Sequence, residues 1–282
     1  MTKAFCPGHI TCFFHPVRTD DPVTTGSRGV GLRLSLGTYV TMEERSDSRL
    51  SIVMDGTESD APITRSVMEQ ICPGRGFDIT VENQLPVGQG FGMSASGAIA
   101  AALCACSFMG IDQENAYRYA HIAEVLQGGG LGDVSAIMSN ARMPVRIRPG
   151  LPPYGEVIES NQKSQTFTLA VVGGKLSTAP VISDPDMQRR MNEIGSRMVD
   201  DYASNPTMER MYLRSREFSS SLGIESAEVS SALKVLGKES GMCMLGHSIF
   251  TSRPGDEVRE ILGDVPVFSA STSNAPAFIQ KA

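Results

Sequence analysis

Residues 86–97 read Pro-Val-Gly-Gln-Gly-Phe-Gly-Met-Ser-Ala-Ser-Gly, with glycine at the alternate positions 88, 90 and 92 just before an Ala-rich run. Glycines so spaced remove the Cβ atoms that hold a ligand off the backbone, and they permit positive φ. A helix opening directly after such a turn offers unpaired amides and the positive end of its dipole, which suits a phosphate. The same residues also suit a tight strand-to-helix turn, since glycine spacing alone is weak evidence. Two other phosphate motifs are excluded. No lysine occurs between Lys3 and Lys163, so the Gly-Lys-Ser/Thr start of a P-loop helix is missing. Gly90 to Ala95 fits G-x-G-x-x-A, but the acid that should end a second strand, Asp112, follows a glycine break between two helical stretches.

A strand must lead into this turn and a helix must leave it. Residues 31–42 and 77–81 alternate bulky with small or polar side chains, the pattern of strands with one buried face. Residues 94–109 form an Ala-rich buried helix ended by Gly110, and Asp112 is placed to cap a second helix running to about Gln127. Gly128-Gly129-Gly130 stops that helix, and a third, short one starts near Gly132-Asp133. Strands follow at 143–148 and 155–159, and the polar stretch 160–165 reads as a linker. Beyond it come a strand at 166–172, a helical stretch at 184–222 and a helix at 226–236. Two short strands lie within 241–250 around Gly246, followed by a helix at 254–262 and a strand at 265–269. That order matches a ferredoxin-like split β-α-β arrangement, and the whole chain reads as α+β. With 282 residues, two domains are expected, 1–160 and 161–282.

The glycine-rich segment resembles the phosphate loop of the GHMP kinases, Pro-x-x-x-Gly-Leu-Gly-Ser-Ser-Ala. Pro86, Gly90, Gly92, Ser94 and Ala95 match in place, Phe91 stands for Leu and Met93 for the first Ser. Further segments are similar to the archaeal pantoate kinase branch of that family: Pro7-Gly8-His9-Ile10-Thr11, Gly26-Ser27-Arg28-Gly29, His121-Ile122-Ala123-Glu124-Val125 and Gly130-Leu131-Gly132-Asp133-Val134. Residues 242–250 (M-C-M-L-G-H-S-I-F) resemble its C-terminal motif, keeping only Gly241 and Gly246 of the usual glycines. The resemblance covers essentially the whole chain. It implies an N-terminal domain like domain 2 of ribosomal protein S5, a ferredoxin-like C-terminal domain and a homodimer. It also implies ATP- and Mg²⁺-dependent phosphorylation of the primary hydroxyl of pantoate to 4-phosphopantoate, on the route to coenzyme A. A kinase for another small hydroxy acid or alcohol, such as homoserine or mevalonate, is one alternative; a nucleotide-binding regulator without catalysis is another.

The resemblance also implies roles for residues. Pro86, Gly88, Gly90, Phe91, Gly92, Met93, Ser94, Ala95 and Ser96 would surround the ATP phosphates. Ser94 and Glu124 would hold the metal, although Glu124 also suits a solvated helix end. Asp133 would be the base or orienting group for the acceptor hydroxyl; otherwise it reads as an N-cap. Arg28, flanked by Gly26, Ser27 and Gly29, is the preferred partner for the acceptor carboxylate because a guanidinium grips one in bidentate fashion. Arg65, Arg142 and Arg146 are its rivals, and His9 is a candidate contact to a substrate hydroxyl.

Bulk composition narrows the partners. Apolar residues make up 41% and charged residues 20%, ordinary values for a globular chain. With 25 basic and 31 acidic side chains, the net charge of −6 argues against nucleic-acid binding. The six cysteines are thinly spread, form no metal-binding spacing and suit a reduced cytoplasm. No signal peptide and no membrane span are expected, so the reading is a cytoplasmic protein.

Overall fold

The computed structural model describes residues 1–160, 163–175 and 184–280. Two long antiparallel strands, β1 (Thr2–Val17) and β2 (Gly26–Glu44), form the middle of a first sheet. β5 (Phe77–Asn83) pairs with β2 and runs parallel to β3 (Leu50–Met54), whose far side carries β4 (Thr57–Glu58). The opposite end of β2 pairs with β6 (Pro144–Arg148), followed by β7 (Glu156–Glu159). Four helices belong to this part: α1 (Pro62–Ile71), α2 (Met93–Met109), α3 (Asn115–Leu126) and α4 (Asp133–Met138). From Met93 to Cys106 every residue of α2 except Ser94 is buried. A helix with no polar face has to lie inside the protein, and its alanines let β1, β2, α1 and α3 approach closely.

The second sheet contains β8 (Thr166–Val171), β9 (Ser240–Met242), β10 (Ser248–Thr251) and β11 (Val267–Ser271), all antiparallel in the order β11-β8-β10-β9. Its helices are α5 (Pro185–Ser204), α6 (Met208–Leu222) and α7 (Ala227–Leu236) after β8, and α8 (Gly255–Leu262) after β10. The chain order and the strand order are those expected of a ferredoxin-like unit. The chain then returns: β12 (Phe278–Gln280) pairs with β1 in the first sheet. The two sheets also share an apolar core. Ile10, Phe13, Phe14 and Leu32 of the first sheet pack in one cluster with Phe167, Met191, Phe218 and Phe250 of the second part.

Several expectations need correction. β1 reads as a continuous apolar run broken by Pro7 and Gly8, not as an alternating strand, and it escapes a period-2 search because most of it is buried on both faces. α1 also went unanticipated. Asp112 does not cap α3; its Oδ1 accepts from the Glu114 amide at 3.0 Å in a preceding turn, and the helix starts at Asn115. The helical stretch 184–222 is two helices, capped separately by Asp184 and Thr207. Of the supposed linker, residues 161–162 lie outside the described residues and Ser160 is buried. All six cysteines are free and buried. Among the described residues, no helix is long and apolar enough to cross a membrane.

Candidate active site

A cavity of about 320 Å³ opens where the glycine-rich loop meets α3, α4 and the turn between β9 and β10. Gly88, Gly90, Phe91, Gly92, Met93 and Ser94 form one wall, and residues 127–133 with Glu124 form another. Gly92 has φ +69°, and a Cβ there would stand 2.7 Å from the His9 carbonyl, so a side chain is excluded. The loop is tied to β1 by the His9 amide, which donates to Phe91 O at 3.0 Å. No side chain caps α2, so the amides of Met93, Ser94 and Ala95 at its first turn have no acceptor within the helix. Those amides and the helix dipole favour an anion.

Two carboxylates face the same space. Glu124, buried at the end of α3, accepts from Ser94 Oγ at 2.6 Å and from the Gly130 amide at 2.6 Å. Burial pushes its pKa up to about 7, with Asp133 adding to the rise while the two hydrogen bonds oppose it. Asp133 is the first residue of α4, and its Oδ1 receives the proton of His9 Nδ1 at 2.7 Å. Burial raises the Asp133 pKa, but the His9 bond, His9 charge and Arg146 outweigh it and hold the carboxyl below its ordinary value. Gly130 separates the two acids: a Cβ there would lie 2.4 Å from Asp133 Oδ2 and 3.3 Å from Glu124 Oε2.

Beneath Thr11, Ser27 and Gly132 lies Arg146, at 1% exposure. Its Nε donates to Ser27 O at 3.3 Å and its Nη2 to Thr11 Oγ1 at 3.5 Å, while Nη1 has no partner. Burial lowers its pKa to about 10, so it stays a cation at neutral pH. His121, on α3 one turn before Glu124, is buried and reaches the carbonyls of Thr25 and Pro22 at 2.9 and 3.0 Å. It fastens the β1–β2 connection over the helix that carries Glu124.

The expected site residues divide. Gly88, Gly90, Phe91, Gly92, Met93, Ser94, Glu124, Asp133 and Ser27 line the cavity. Arg28 does not. Neighbouring residues of a strand point to opposite faces, so with Ser27 toward the cavity Arg28 turns to α5, bonding Ile147 O, Ser196 Oγ and Asp200. Gly26 packs on the Gly150 backbone, where a Cβ would be 2.3 Å from the Gly150 nitrogen. The His9 ring is 0% exposed and stands behind Asp133, out of a substrate's reach. Ala95 and Ser96 are buried, with Ser96 Oγ donating to Cys6 O of the sheet, and Pro86 lies off the cavity wall. Thr11 and Leu131, which lie in the family-like segments but carry no expected role, also line the cavity, as do Phe14, Ile63 and Gln127, for which the sequence offers no signal. Met244 and Leu245, within the segment that resembles the C-terminal motif, also line the cavity.

Comparison with known proteins points to one family. Residues 62–140 match the model of the GHMP kinases N terminal domain. Pantoate kinase of Thermococcus kodakarensis is 33% identical over 94% of this chain and 93% of its own. The chain belongs to the pantoate kinase family. A second pantoate kinase, from Methanospirillum hungatei, is 29% identical over 93% of this chain and 91% of its own. A solved structure described as a phosphotransferase related to the CoA biosynthesis pathway superposes with a TM-score of 0.87 at 30% identity, covering 99% of this chain and 98% of that one. As a member of the pantoate kinase family with the α+β GHMP fold, the chain is an ATP-dependent small-molecule kinase.

Proposed function

We propose that this cavity takes ATP and pantoate and transfers the γ-phosphoryl group to the C4 hydroxyl of pantoate, making 4-phosphopantoate for coenzyme A. The observation that carries this reading is the convergence of Glu124 and Asp133 on one space at the uncapped start of α2. The loop and α2 amides cradle the phosphates, which needs no basic surface on a chain of net charge −6. Asp133 Oδ2, the oxygen not held by His9, orients the C4 hydroxyl and receives its proton as the new O–P bond forms and the bond to the β-phosphate oxygen breaks. A carboxyl with a lowered pKa is a weak base, but a loose phosphoryl-transfer transition state asks mainly for positioning.

Mg²⁺ fits the residues present. Glu124 is a buried carboxylate bonded to no cation, and Ser94 Oγ already lies on it. Mg²⁺ takes one or two protein oxygens with phosphates and water, and among the described residues no cluster of three or more His, Cys, Asp or Glu side chains builds a closed cage. Held by Glu124 and Ser94, the cation would offset charge on the β- and γ-phosphates.

The pantoate carboxylate belongs at the Thr11–Ser27 end, on their hydroxyls and above the Arg146 guanidinium. At ~5 Å and an effective dielectric of 20, a buried cation is worth about 3 kcal/mol to a carboxylate. Purified protein with Mg²⁺ and ATP is expected to release ADP with pantoate. It should not do so with homoserine, mevalonate or pantothenate, the last keeping the hydroxyl end but carrying an amide where Arg146 expects a carboxylate. Folded protein that leaves pantoate untouched refutes the assignment.

A further inference from the structure

The charged side chains on the cavity wall are Glu124 and Asp133, both acidic, so a nucleotide polyphosphate meets a wall of its own sign. Arg146 offsets this only at the acceptor end, under Thr11 and Ser27. At the other end the loop opens at Gly88, and there Lys175 lies alongside it. A Cβ on Gly88 would stand 3.3 Å from Lys175 Cβ, 3.4 Å from Cγ and 3.7 Å from Cδ. The segment leading to Lys175 is fastened from two directions. Gln89, itself in the loop, donates from Nε2 to Gly173 O at 3.0 Å. His247 donates from Nδ1 to Gly174 O at 2.9 Å, and its carbonyl accepts from the Val172 and Gly173 amides at 2.9 and 3.1 Å. Lys175 itself is exposed and makes no hydrogen bond or ion pair among the described residues. A long cationic side chain is thus held at the open end of the glycine-rich loop, with no ion-pair partner among the described residues.

We propose that Lys175 is a nucleotide-binding residue whose ammonium contacts the polyphosphate at the open end of the loop. This rests on the reading of the cavity as a nucleotide site. It gives the second sheet a direct part in binding, because the loop hangs from the first sheet and Lys175 follows β8 of the second. It also places near the phosphates a lysine that the loop itself lacks.

Calorimetric titration with magnesium ATP tests it without relying on turnover. Lys175→Ala is expected to weaken magnesium ATP by roughly tenfold, the scale of one charge-assisted hydrogen bond, while leaving Tm and the pantoate KM unchanged. Lys175→Arg should recover most of the affinity, and Lys238→Ala, an exposed lysine elsewhere, should bind like the parent protein. Salt should weaken binding to the parent more steeply than to Lys175→Ala. Parent-like affinity in Lys175→Ala overturns the proposal. If the parent protein binds magnesium ATP but does not phosphorylate pantoate, the acceptor assignment falls and the affinity ratio still decides Lys175. If the parent binds no magnesium ATP, both fall.

Discussion

Asp133 and Glu124 sit on either side of Gly130, yet their surroundings move their pKa values apart. His9 keeps Asp133 ionised and aimed, so Asp133→Asn should keep magnesium ATP affinity and lose roughly a hundredfold or more in turnover. Near-parental turnover would remove Asp133 from the reaction. Glu124 goes the other way. Its folded pKa of about 7 lies above the ordinary 4.5, so the native state holds the proton longer than the unfolded chain. Stability without metal therefore falls as pH rises through that window and levels off above it, a loss of roughly 3 kcal/mol at most. Glu124→Gln abolishes this loss, so metal-free melting should increasingly favour the variant as pH rises from acid to neutral. A Tm difference that stays flat with pH contradicts the burial argument. If Glu124 holds the metal as proposed, the same variant should lose Mg²⁺-dependent activity.

At the scale of elements, the loop and α2 were legible because their signals are local. Alternate glycines, small polar residues and an alanine run describe a turn and a buried helix wherever they occur. Gly92→Ala should cost about 1–3 kcal/mol through its φ of +69° alone, with added strain against the His9 carbonyl. Chemical denaturation should show that loss together with weakened magnesium ATP binding; a parental midpoint would mean the loop relaxes without penalty. The β1–β2 pair was less legible. Its register shifts between Pro7 and His9 and again between Thr11 and Phe13, and the second shift accompanies burial of the successive residues Phe13 and Phe14. Simple alternation cannot anticipate such a shift.

Over the whole molecule, the chain closes on itself. Arg33 is fully buried in β2, and its guanidinium donates to the carbonyls of Ser273 and Ala275 in the segment leading to β12. Phe278 then meets the Phe5 ring at 5.6 Å. Ending the chain after Thr272 would strand the Arg33 donors in the interior, and a loss of at least about 2 kcal/mol is expected in denaturant unfolding. Unchanged stability would show that water replaces the tail. The shared core makes the same point, since α5 and α6 pack on β1 and one apolar cluster runs through both sheets, while a second lies between the first sheet and its own helices.

The residues alone gave a glycine-rich turn at a helix start that suits a phosphate, an α+β chain and no basic field, and the resemblance they carry added the roles of the two acids downstream. The turn and the helix after it lie within a few residues of each other, where backbone sterics and local periodicity decide the outcome. Only the tertiary structure decided which arginine lies under Thr11 and Ser27, that His9 stands behind Asp133 and that Lys175 comes to the loop. Each depends on which face of a strand is covered and by what. Arg28 and Arg146 are both arginines on strands of one sheet, but α5 takes the first, while the second is buried beneath Thr11 and Ser27. Burial gives Arg146 its electrostatic reach, and burial is a property of the packed molecule rather than of any segment.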